Sequence, residues 1–421
     1  MSTSISDLHC EEKLASVAAE IALDGFKGPG TSEFPDSPGL EYLVKAGSQP
    51  WFDTGNKAEA QPLWARQMRG LTTNNTLVNQ VVQTGVVDSV IETAGRRLKE
   101  AYPGMSERDL VIETGFILNA RIALELVEIF GATVSVELHP DLADDWRMSL
   151  EFGKRYFAIC PERFLVKVPM TPDGFIGVRK LSDAGVPVNF TLGFSARQNY
   201  FAALFSRPAY VNVFLGRLGV VVKDNKLGSG ENVGERVCLV SQEEVEKLRA
   251  EGAAPSQQIA ASIRTGRQVK ELAGVDVLTI PPKAAKEYLD ANPDPADVRR
   301  LSSADFPVEL TANVSGKGRV ETFWEVSDAF RSFARAAAGK VSSFDTGEKI
   351  LSFAADCGVN DFFRQWSAGE QAEIQKGGKI PDLHRWCDVA AADDMMTQAA
   401  LQSFAVDQGE LDDRIARLMA G

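Results

Sequence analysis

Residues 164–169 read Phe164-Leu165-Val166-Lys167-Val168-Pro169, which places one lysine inside a short apolar run. Such a run, rich in β-branched residues, is typical of a parallel strand that is buried on both faces. A buried lysine is costly unless it is paired or neutral. Two interpretations stay open. Lys167 points outward with its stem packed under a helix, or it is a desolvated amine that can act as a nucleophile.

Seven further runs of this kind lie between about residues 40 and 282, and amphipathic helical patterns separate them. This alternation predicts a parallel sheet with helices around it. An open doubly wound sheet and a closed (β/α)8 TIM barrel both fit, and the count of eight strands favours the barrel. The chain has no GxGxxG or GxxxxGK[ST] motif that would indicate a nucleotide site. The predicted strands are residues 50–53, 70–73, 133–137, 164–168, 187–192, 210–214, 258–262 and 275–280.

Apolar residues at helical spacing predict the helices between these strands. Ser106 and Ser241, each followed three residues later by an acidic residue, are expected to cap two of them. The predicted helices are residues 58–68, 76–97, 106–130, 142–157, 175–184, 195–204, 241–250 and 266–273.

The rest of the chain is predicted to be helical. We expect an N-terminal helical extension (1–38), the barrel (39–293), an additional helical subdomain (294–394) and a C-terminal helix packed on the barrel (395–421). Helices are expected at 11–23, 322–338, 343–356, 359–368, 383–392 and 396–419, the last broken near Gln408 and Gly409. A lid, an oligomer contact and an accessory subdomain are the options for 294–394.

Composition excludes several classes of protein. The 421 residues carry 45 Lys and Arg against 58 Asp and Glu, a net charge of −13, which argues against a nucleic-acid binder. The apolar fraction of 44% is too high for a disordered chain. No run approaches the roughly eighteen apolar residues of a membrane span. The five cysteines form no CxxC pair, which indicates reduced thiols rather than a metal site.

Polar side chains follow the predicted strands, and in a barrel these strand ends meet at the active-site face. Lys167 with the carboxylates Asp53 and Glu137 is the minimum set for Schiff-base chemistry with proton transfer. Each residue also has a structural interpretation. Asp53 and Asn74 are good helix caps, Glu137 and the arginines could form surface ion pairs, and Phe214 could be core packing. The other candidates at the strand ends are Thr72, Asn189, Thr191, Asn212, Arg217, Ser262 and Arg264.

The sequence at these strand ends resembles the transaldolase family. The matching segments, in chain order, are Asp53-Thr54-Gly55, Leu71-Thr72-Thr73-Asn74, Val134-Ser135-Val136-Glu137, Leu165-Val166-Lys167-Val168-Pro169, Val188-Asn189-Phe190-Thr191-Leu192 with Phe194-Ser195, Val213-Phe214-Leu215-Gly216-Arg217 and Ala261-Ser262-Ile263-Arg264. The segment Phe404-Ala405-Val406-Asp407-Gln408 is similar to the last helix of the family.

The resemblance implies a role for each strand-end residue. Lys167 matches the Schiff-base lysine, and Asp53 matches the acid/base that takes a hydroxyl proton as the C3–C4 bond breaks. Glu137 matches the carboxylate that shuttles protons with a water held by Thr191. The residues that match substrate-binding positions are Thr72, Asn74, Asn189, Asn212 and Phe214. Those that match phosphate-binding positions are Arg217, Ser262 and Arg264.

The resemblance further implies a cytoplasmic enzyme of the non-oxidative pentose phosphate pathway. It is expected to bind sugar phosphates, to use no metal or organic cofactor, and to bind neither nucleic acid nor membrane, with a homodimer as one option. Two rival functions stay open. One is a fructose-6-phosphate aldolase-like enzyme that releases free dihydroxyacetone, for which the family cues are a tyrosine at Phe214 and a glutamine at Glu137. The other is a non-catalytic sugar-phosphate-binding protein.

The sequence departs from the family pattern in four places. These are Asn75-Thr76, the segment after Glu137 that contains His139, the residue Met170, and the residue Asn212. They bear on substrate preference, because none of them removes a catalytic group. A lone histidine is more often structural than catalytic, so His139 is expected to be structural.

Overall fold

A computed structural model describes residues 5–420 of the chain. Eight parallel strands form a closed barrel in sequential order, and β1 pairs with β8 to close it. The predicted (β/α)8 fold is confirmed. The strands are β1 (Gln49–Asp53), β2 (Gly70–Thr72), β3 (Thr133–Glu137), β4 (Phe164–Pro169), β5 (Val188–Thr191), β6 (Tyr210–Phe214), β7 (Gln257–Ala261) and β8 (Val277–Ile280).

The strand register brings the polar strand-end residues together. Every residue of β4 is buried, as its apolar composition predicts. Lys167 on β4 pairs with Glu137 on β3 and with Asn189 on β5, so the three stand side by side across neighbouring strands.

Thirteen helices among the described residues precede or surround the strands. They are α1 (Glu12–Leu23), α2 (Pro38–Lys45), α3 (Lys57–Ala60), α4 (Asn75–Gln83), α5 (Asp88–Ala101), α6 (Glu107–Phe130), α7 (Trp146–Ile159), α8 (Pro172–Asp183), α9 (Ala196–Phe205), α10 (Leu215–Asp224), α11 (Val233–Ala250), α12 (Gly266–Glu271) and α13 (Pro282–Asp290). Ser106 caps α6 as expected, since its Oγ accepts from the Asp109 N–H at 3.1 Å.

Three helix predictions in this part were wrong. The expected helix 58–68 ends after α3 and one 3-10 turn that contains Pro62, whose ring removes a backbone donor. The expected helix 76–97 is two helices, α4 and α5, separated at Gly85 with φ +83°. Ser241 is not a cap, because it lies inside α11, where its Oγ donates to Gln258 Oε1 at 2.6 Å.

The segment after the barrel lies on its outside. Among the described residues it contains α14 (Asp328–Ala338), α15 (Gly347–Asp356), α16 (Ala368–Gly377) and α17 (Leu383–Trp386), joined by 3-10 turns and loops. α14 contacts α9, and α15 contacts α8. The rings of Phe333 and Phe201 stack 5.2 Å apart, and Phe362 packs 5.0 Å from Phe201. The segment therefore shares the hydrophobic core of the barrel helices.

The predicted helices in this segment were only partly right. Residues 359–367 are irregular, with Phe362 buried in the ring cluster, and the helix starts at Ala368 after the cap Ser367. The expected helix 383–392 is reduced to the single turn of α17.

The last helix, α18 (Ala392–Ala420), contacts α4, α5 and α6. It is continuous, so the expected break near Gln408 and Gly409 is wrong. Gln408 instead donates to Asp412 Oδ1 at 2.7 Å within the helix. At its start, Asp393 binds Arg197 of α9 through two hydrogen bonds of 2.7 and 2.8 Å. These contacts hold α18 across the site-bearing end of the barrel.

None of the described helices combines the length and the apolar character that crossing a membrane requires.

Candidate active site

A cavity of about 180 Å³ lies at the carboxyl ends of the strands, where (β/α)8 barrels carry their active sites. Ten of the twelve predicted site residues line it. They are Asp53, Thr72, Asn74, Lys167, Asn189, Asn212, Phe214, Arg217, Ser262 and Arg264. The structure therefore brings together residues from five strands and from the segments that follow β2, β6 and β7.

Lys167 reaches the cavity from β4 with 4% of its side chain exposed. Its Nζ donates to the Thr73 carbonyl at 3.1 Å and lies 3.5 Å from Glu137 Oε2. The first interpretation, a lysine pointing outward under a helix, is thus wrong for this residue. The amine is buried, oriented by a carbonyl and close to a carboxylate.

Glu137 and Thr191 lie outside the cavity wall. Glu137 is buried behind Lys167, and burial raises the pKa of its carboxyl, while Lys167 and the backbone N–H of Asn75 oppose that rise. Thr191 is buried on β5. Within residues 5–420, neither Glu137 Oε2 nor Thr191 Oγ1 has a hydrogen-bond partner. Glu137 is thus within reach of the lysine, whereas Thr191 is not among the described residues that line the cavity.

Asp53 is the last residue of β1, and it lines the same cavity as Lys167. Burial raises the pKa of the Asp53 carboxyl, and the positive charges of Lys167 and Arg264 only partly oppose it. A carboxylate with a raised pKa is a stronger base than an exposed one, which suits proton removal from a hydroxyl group.

Buried amides connect β3, β5 and β6 below the cavity. Asn212 Nδ2 donates to Asn189 Oδ1 at 2.9 Å, and Asn189 Nδ2 donates to Ser135 Oγ at 3.3 Å. These bonds fix the orientation of both amides toward the cavity. Asn74 caps α4, accepting from the Leu77 N–H at 2.8 Å, and also lines the cavity, so the cap is compatible with the substrate contact that the resemblance implies.

The side of the cavity formed by β6 and β7 is cationic. Burial, followed by the charge of Arg264, lowers the pKa of Arg217 to about 10, so its guanidinium stays protonated at neutral pH. Within the described residues, Arg217 Nη1 is buried and has no hydrogen-bond partner. Two adjacent guanidiniums are suited to bidentate hydrogen bonds with a phosphate dianion.

The backbone at this cationic side is closely packed. Ser262 has φ +62°, a left-handed conformation that non-glycine residues seldom adopt and that is common at functional sites. A Cβ on Gly216 would lie 2.2 Å from the Ser262 carbonyl oxygen and 2.6 Å from Arg264 Nε. Only glycine at 216 therefore allows Ser262 and Arg264 to take these positions.

Two further residues that line the cavity come from beyond the barrel. Phe404 of α18 packs near Phe214, with ring centroids 6.4 Å apart, and Lys379 follows α16. Phe404 lies in a segment that resembles the family. Lys379 has no local sequence signal that could have identified it, because tertiary packing alone brings it to the site.

His139 is absent from the described residues that line the cavity. Its Nε2 lies 3.2 Å from Asp412 Oδ2 on α18, so it joins the β3 end to the last helix. Among residues 5–420, no group of three His, Cys, Asp or Glu side chains is arranged to hold a metal ion.

Comparison with known proteins gives the same family as the resemblance at the strand ends. The model of the family "Transaldolase/Fructose-6-phosphate aldolase" matches residues 50–326, which is more than half of the chain. This chain belongs to that family. The match includes all eight strands apart from the first residue of β1, and all twelve predicted site residues.

Named relatives of the transaldolase family are distantly similar. A probable transaldolase of Dictyostelium discoideum is 26% identical over 294 residues, which cover 68% of this chain and 86% of the relative. A transaldolase of Prochlorococcus marinus is 28% identical over 231 residues, covering 52% and 68%. A probable transaldolase of Thermus thermophilus is 31% identical over 242 residues, covering 57% and 89%. Lys379 and Phe404 both lie beyond the residues matched by the transaldolase family model.

Proposed function

We propose that the protein is a transaldolase, which moves a dihydroxyacetone unit from a ketose phosphate to an aldose phosphate through a Schiff base on Lys167. The observation that carries this proposal is the buried Lys167 amine at the cavity, 3.5 Å from Glu137 Oε2. The donors are sedoheptulose 7-phosphate and fructose 6-phosphate. The acceptors are glyceraldehyde 3-phosphate and erythrose 4-phosphate.

In the first step, the neutral Lys167 amine attacks the ketone carbon of the donor and forms a carbinolamine. Loss of the carbinolamine hydroxyl as water then leaves a protonated imine. Glu137, with a water held by Thr191, gives and takes the protons of this step. The raised pKa of Glu137 fits a group that must exchange a proton at neutral pH.

In the second step, Asp53 takes the proton of the C4 hydroxyl, and the C3–C4 bond breaks. The aldose phosphate leaves, and the electron pair moves into the imine, which becomes an enamine. The acceptor aldehyde then reacts with C3 of this enamine, and Asp53 returns the proton to the new hydroxyl. The lysine imine serves as the electron sink, so the proposed reaction requires no metal or organic cofactor.

The remaining residues hold the substrate. Asn189 and Asn212, oriented by their mutual hydrogen bond, are placed to bind the hydroxyls of the three-carbon unit, with Asn74 and Thr72 at the β2 end. Phe214 shapes the wall. The phosphate binds to the Ser262 hydroxyl and to the guanidiniums of Arg217 and Arg264, which are the positive charges on this side of the cavity. As part of this proposal, the enzyme acts in the non-oxidative pentose phosphate pathway of the cytoplasm, and its assembly as a homodimer is left to measurement.

Borohydride trapping tests the Schiff base. The protein is incubated with fructose 6-phosphate and reduced, and the adduct is mapped by mass spectrometry. We expect a three-carbon adduct on Lys167 that decreases when erythrose 4-phosphate is added before the reductant. Lys167→Ala should give no adduct, and the exposed Lys223→Met should behave like the wild type. No adduct on Lys167 in the folded protein would contradict the proposal and favour a sugar-phosphate-binding protein.

The dependence of turnover on an acceptor separates the two activities named by the family. A transaldolase consumes fructose 6-phosphate at a substantial rate only when an aldose phosphate is present. An aldolase-like enzyme releases free dihydroxyacetone without one. Glu137 and Phe214 support the transaldolase, because the resemblance assigns a glutamine and a tyrosine to the aldolase at these positions.

A further inference from the structure

The loop formed by residues 378–382, here the rim loop, joins α16 to α17 and carries Lys379 to the cavity. It begins with Gly378, whose φ of +80° turns the chain away from α16. The rim loop lies in the region beyond the residues matched by the family model, for which the proposed reaction has so far given no role.

Hydrogen bonds attach the end of the rim loop to α10, the helix that carries Arg217. Asn225, which follows α10, donates from Nδ2 to the Pro381 carbonyl at 3.1 Å. Its Oδ1 accepts from the Leu383 N–H at 2.8 Å. The same helix therefore carries the buried arginine at one end and anchors the rim loop at the other.

The charges around the cavity are unbalanced. Among the lining residues in the described part of the chain, three are basic besides Lys167 (Arg217, Arg264 and Lys379), and Asp53 alone is a carboxylate. No ion pair among residues 5–420 includes Lys379. Arg264 already lowers the pKa of Arg217, and a dianionic ligand bound at this side of the cavity would relieve the repulsion between the two guanidiniums.

Lys379 also stands at the entrance. Its side chain is exposed, and it lines both the cavity and an adjacent open hollow of the surface that contains Lys226. A flexible ammonium group at this place can meet an entering phosphate, whereas the reacting carbon lies deeper, at Lys167.

We infer that Lys379 is a specificity-determining residue, which gives the phosphate of the substrate a third cationic contact in addition to Arg217 and Arg264. This inference rests on the proposed function and extends it. The segment beyond the family match thereby favours phosphorylated over unphosphorylated sugars. Because Lys379 contacts the phosphate and not the reacting atoms, it acts on substrate affinity and leaves the chemical step unchanged.

Phosphate binding tests this inference without any turnover. The dissociation constant of inorganic phosphate is measured by calorimetry on the wild type, Lys379→Ala, Lys379→Arg and Lys376→Ala. Lys376 is the matched control, because it is exposed in the last turn of α16 and does not line the cavity. Loss of one charge-assisted hydrogen bond should weaken phosphate binding by Lys379→Ala about tenfold. Lys379→Arg and Lys376→Ala should bind phosphate as the wild type does.

A kinetic arm tests the specificity. With fructose 6-phosphate as donor, Lys379→Ala should raise the KM for erythrose 4-phosphate while kcat and the KM for unphosphorylated erythrose stay unchanged. Equal phosphate affinity in Lys379→Ala and Lys376→Ala, with affinity lost in Arg264→Ala, would overturn the inference. If the wild type binds phosphate but forms no adduct on Lys167, the proposed function is contradicted. The role of Lys379 in phosphate binding is then still decided by the calorimetry.

Discussion

The amine of Lys167 lies 3.5 Å from Oε2 of Glu137, and their side chains are 4% and 3% exposed. Register pairs the two residues directly across β3 and β4. At this separation a shift of a few tenths of an ångström (about 0.5 Å) would bring the carboxylate to the usual hydrogen-bond distance from the amine.

Glu137→Gln keeps the shape of this side chain and removes its capacity to exchange a proton. We expect kcat to fall by about 10²-fold or more, the usual contribution of a general acid–base group. Rapid-quench borohydride trapping should show slower imine formation on Lys167. Glu162→Gln, an exposed site just before β4, is the control and should trap at the wild-type rate. An unchanged trapping rate in Glu137→Gln would remove Glu137 from the proposed mechanism.

Asp53 must be ionised to take the hydroxyl proton, and burial raises its pKa. The acidic limb of the kcat profile should therefore lie above the ordinary aspartate range, with turnover falling as pH decreases through it. Asp53→Asn should lose about 10²- to 10⁴-fold in kcat, because the base is gone. The test is a kcat profile from pH 4 to 9. A residual activity of Asp53→Asn with the same acidic limb would assign that limb to another group.

The raised pKa of Asp53 also predicts an effect on the stability of the fold. A carboxyl whose pKa is higher in the folded than in the unfolded state destabilises the fold as pH rises through that interval, and the cost persists above it. Asp53→Asn should thus raise the Tm relative to the wild type at pH 8, and by less at pH 4, which is close to the ordinary aspartate pKa, so that most of this cost has yet to develop. Thermal unfolding at the two pH values measures the difference. A smaller gain at pH 8 than at pH 4 would contradict the predicted sign.

Gly216→Ala would place a methyl group against the Ser262 carbonyl and Arg264 Nε, at 2.2 and 2.6 Å. Relief of this clash requires the backbone to move, so we expect a loss of about 1–3 kcal/mol in the free energy of unfolding. The KM for phosphorylated substrates should rise as well. Gly369→Ala is the control, because a Cβ there meets nothing within 4 Å. Wild-type values for both quantities in Gly216→Ala would show that the phosphate side tolerates a different backbone.

Arg197 and Asp393 form a buried pair between α9 and α18, with side chains 7% and 0% exposed. Arg197→Met leaves Asp393 buried without its main counter-charge, which should cost about 3–5 kcal/mol in the free energy of unfolding. The exposed pair of Lys286 and Asp290 is the comparison, and Lys286→Met should cost less than about 1 kcal/mol. Denaturant titrations measure both variants, and similar losses in the two would contradict this ranking.

Strands such as β4 and β8 were predictable because they are short, largely apolar runs, and burial on both faces selects such runs. The barrel geometry then brings strand-end residues to one place, so Lys167 and Asp53 could be assigned to one site from sequence. Ser241 shows the limit of local patterns. It has the spacing of a cap, yet its hydroxyl binds Gln258 on another element. For a related reason, Lys379 could not be predicted as a cavity residue from sequence. Its place at the cavity depends on the packing of a segment distant in sequence.

Phe404 on α18 completes the cavity wall, although the last strand of the barrel already ends at Ile280. During synthesis the ribosome therefore releases Lys167 and all eight strands well before it releases the residue that covers one side of their cavity. Completion of the cavity wall is therefore a late event in synthesis, because it requires α18 to pack on a barrel whose strands are all made before it.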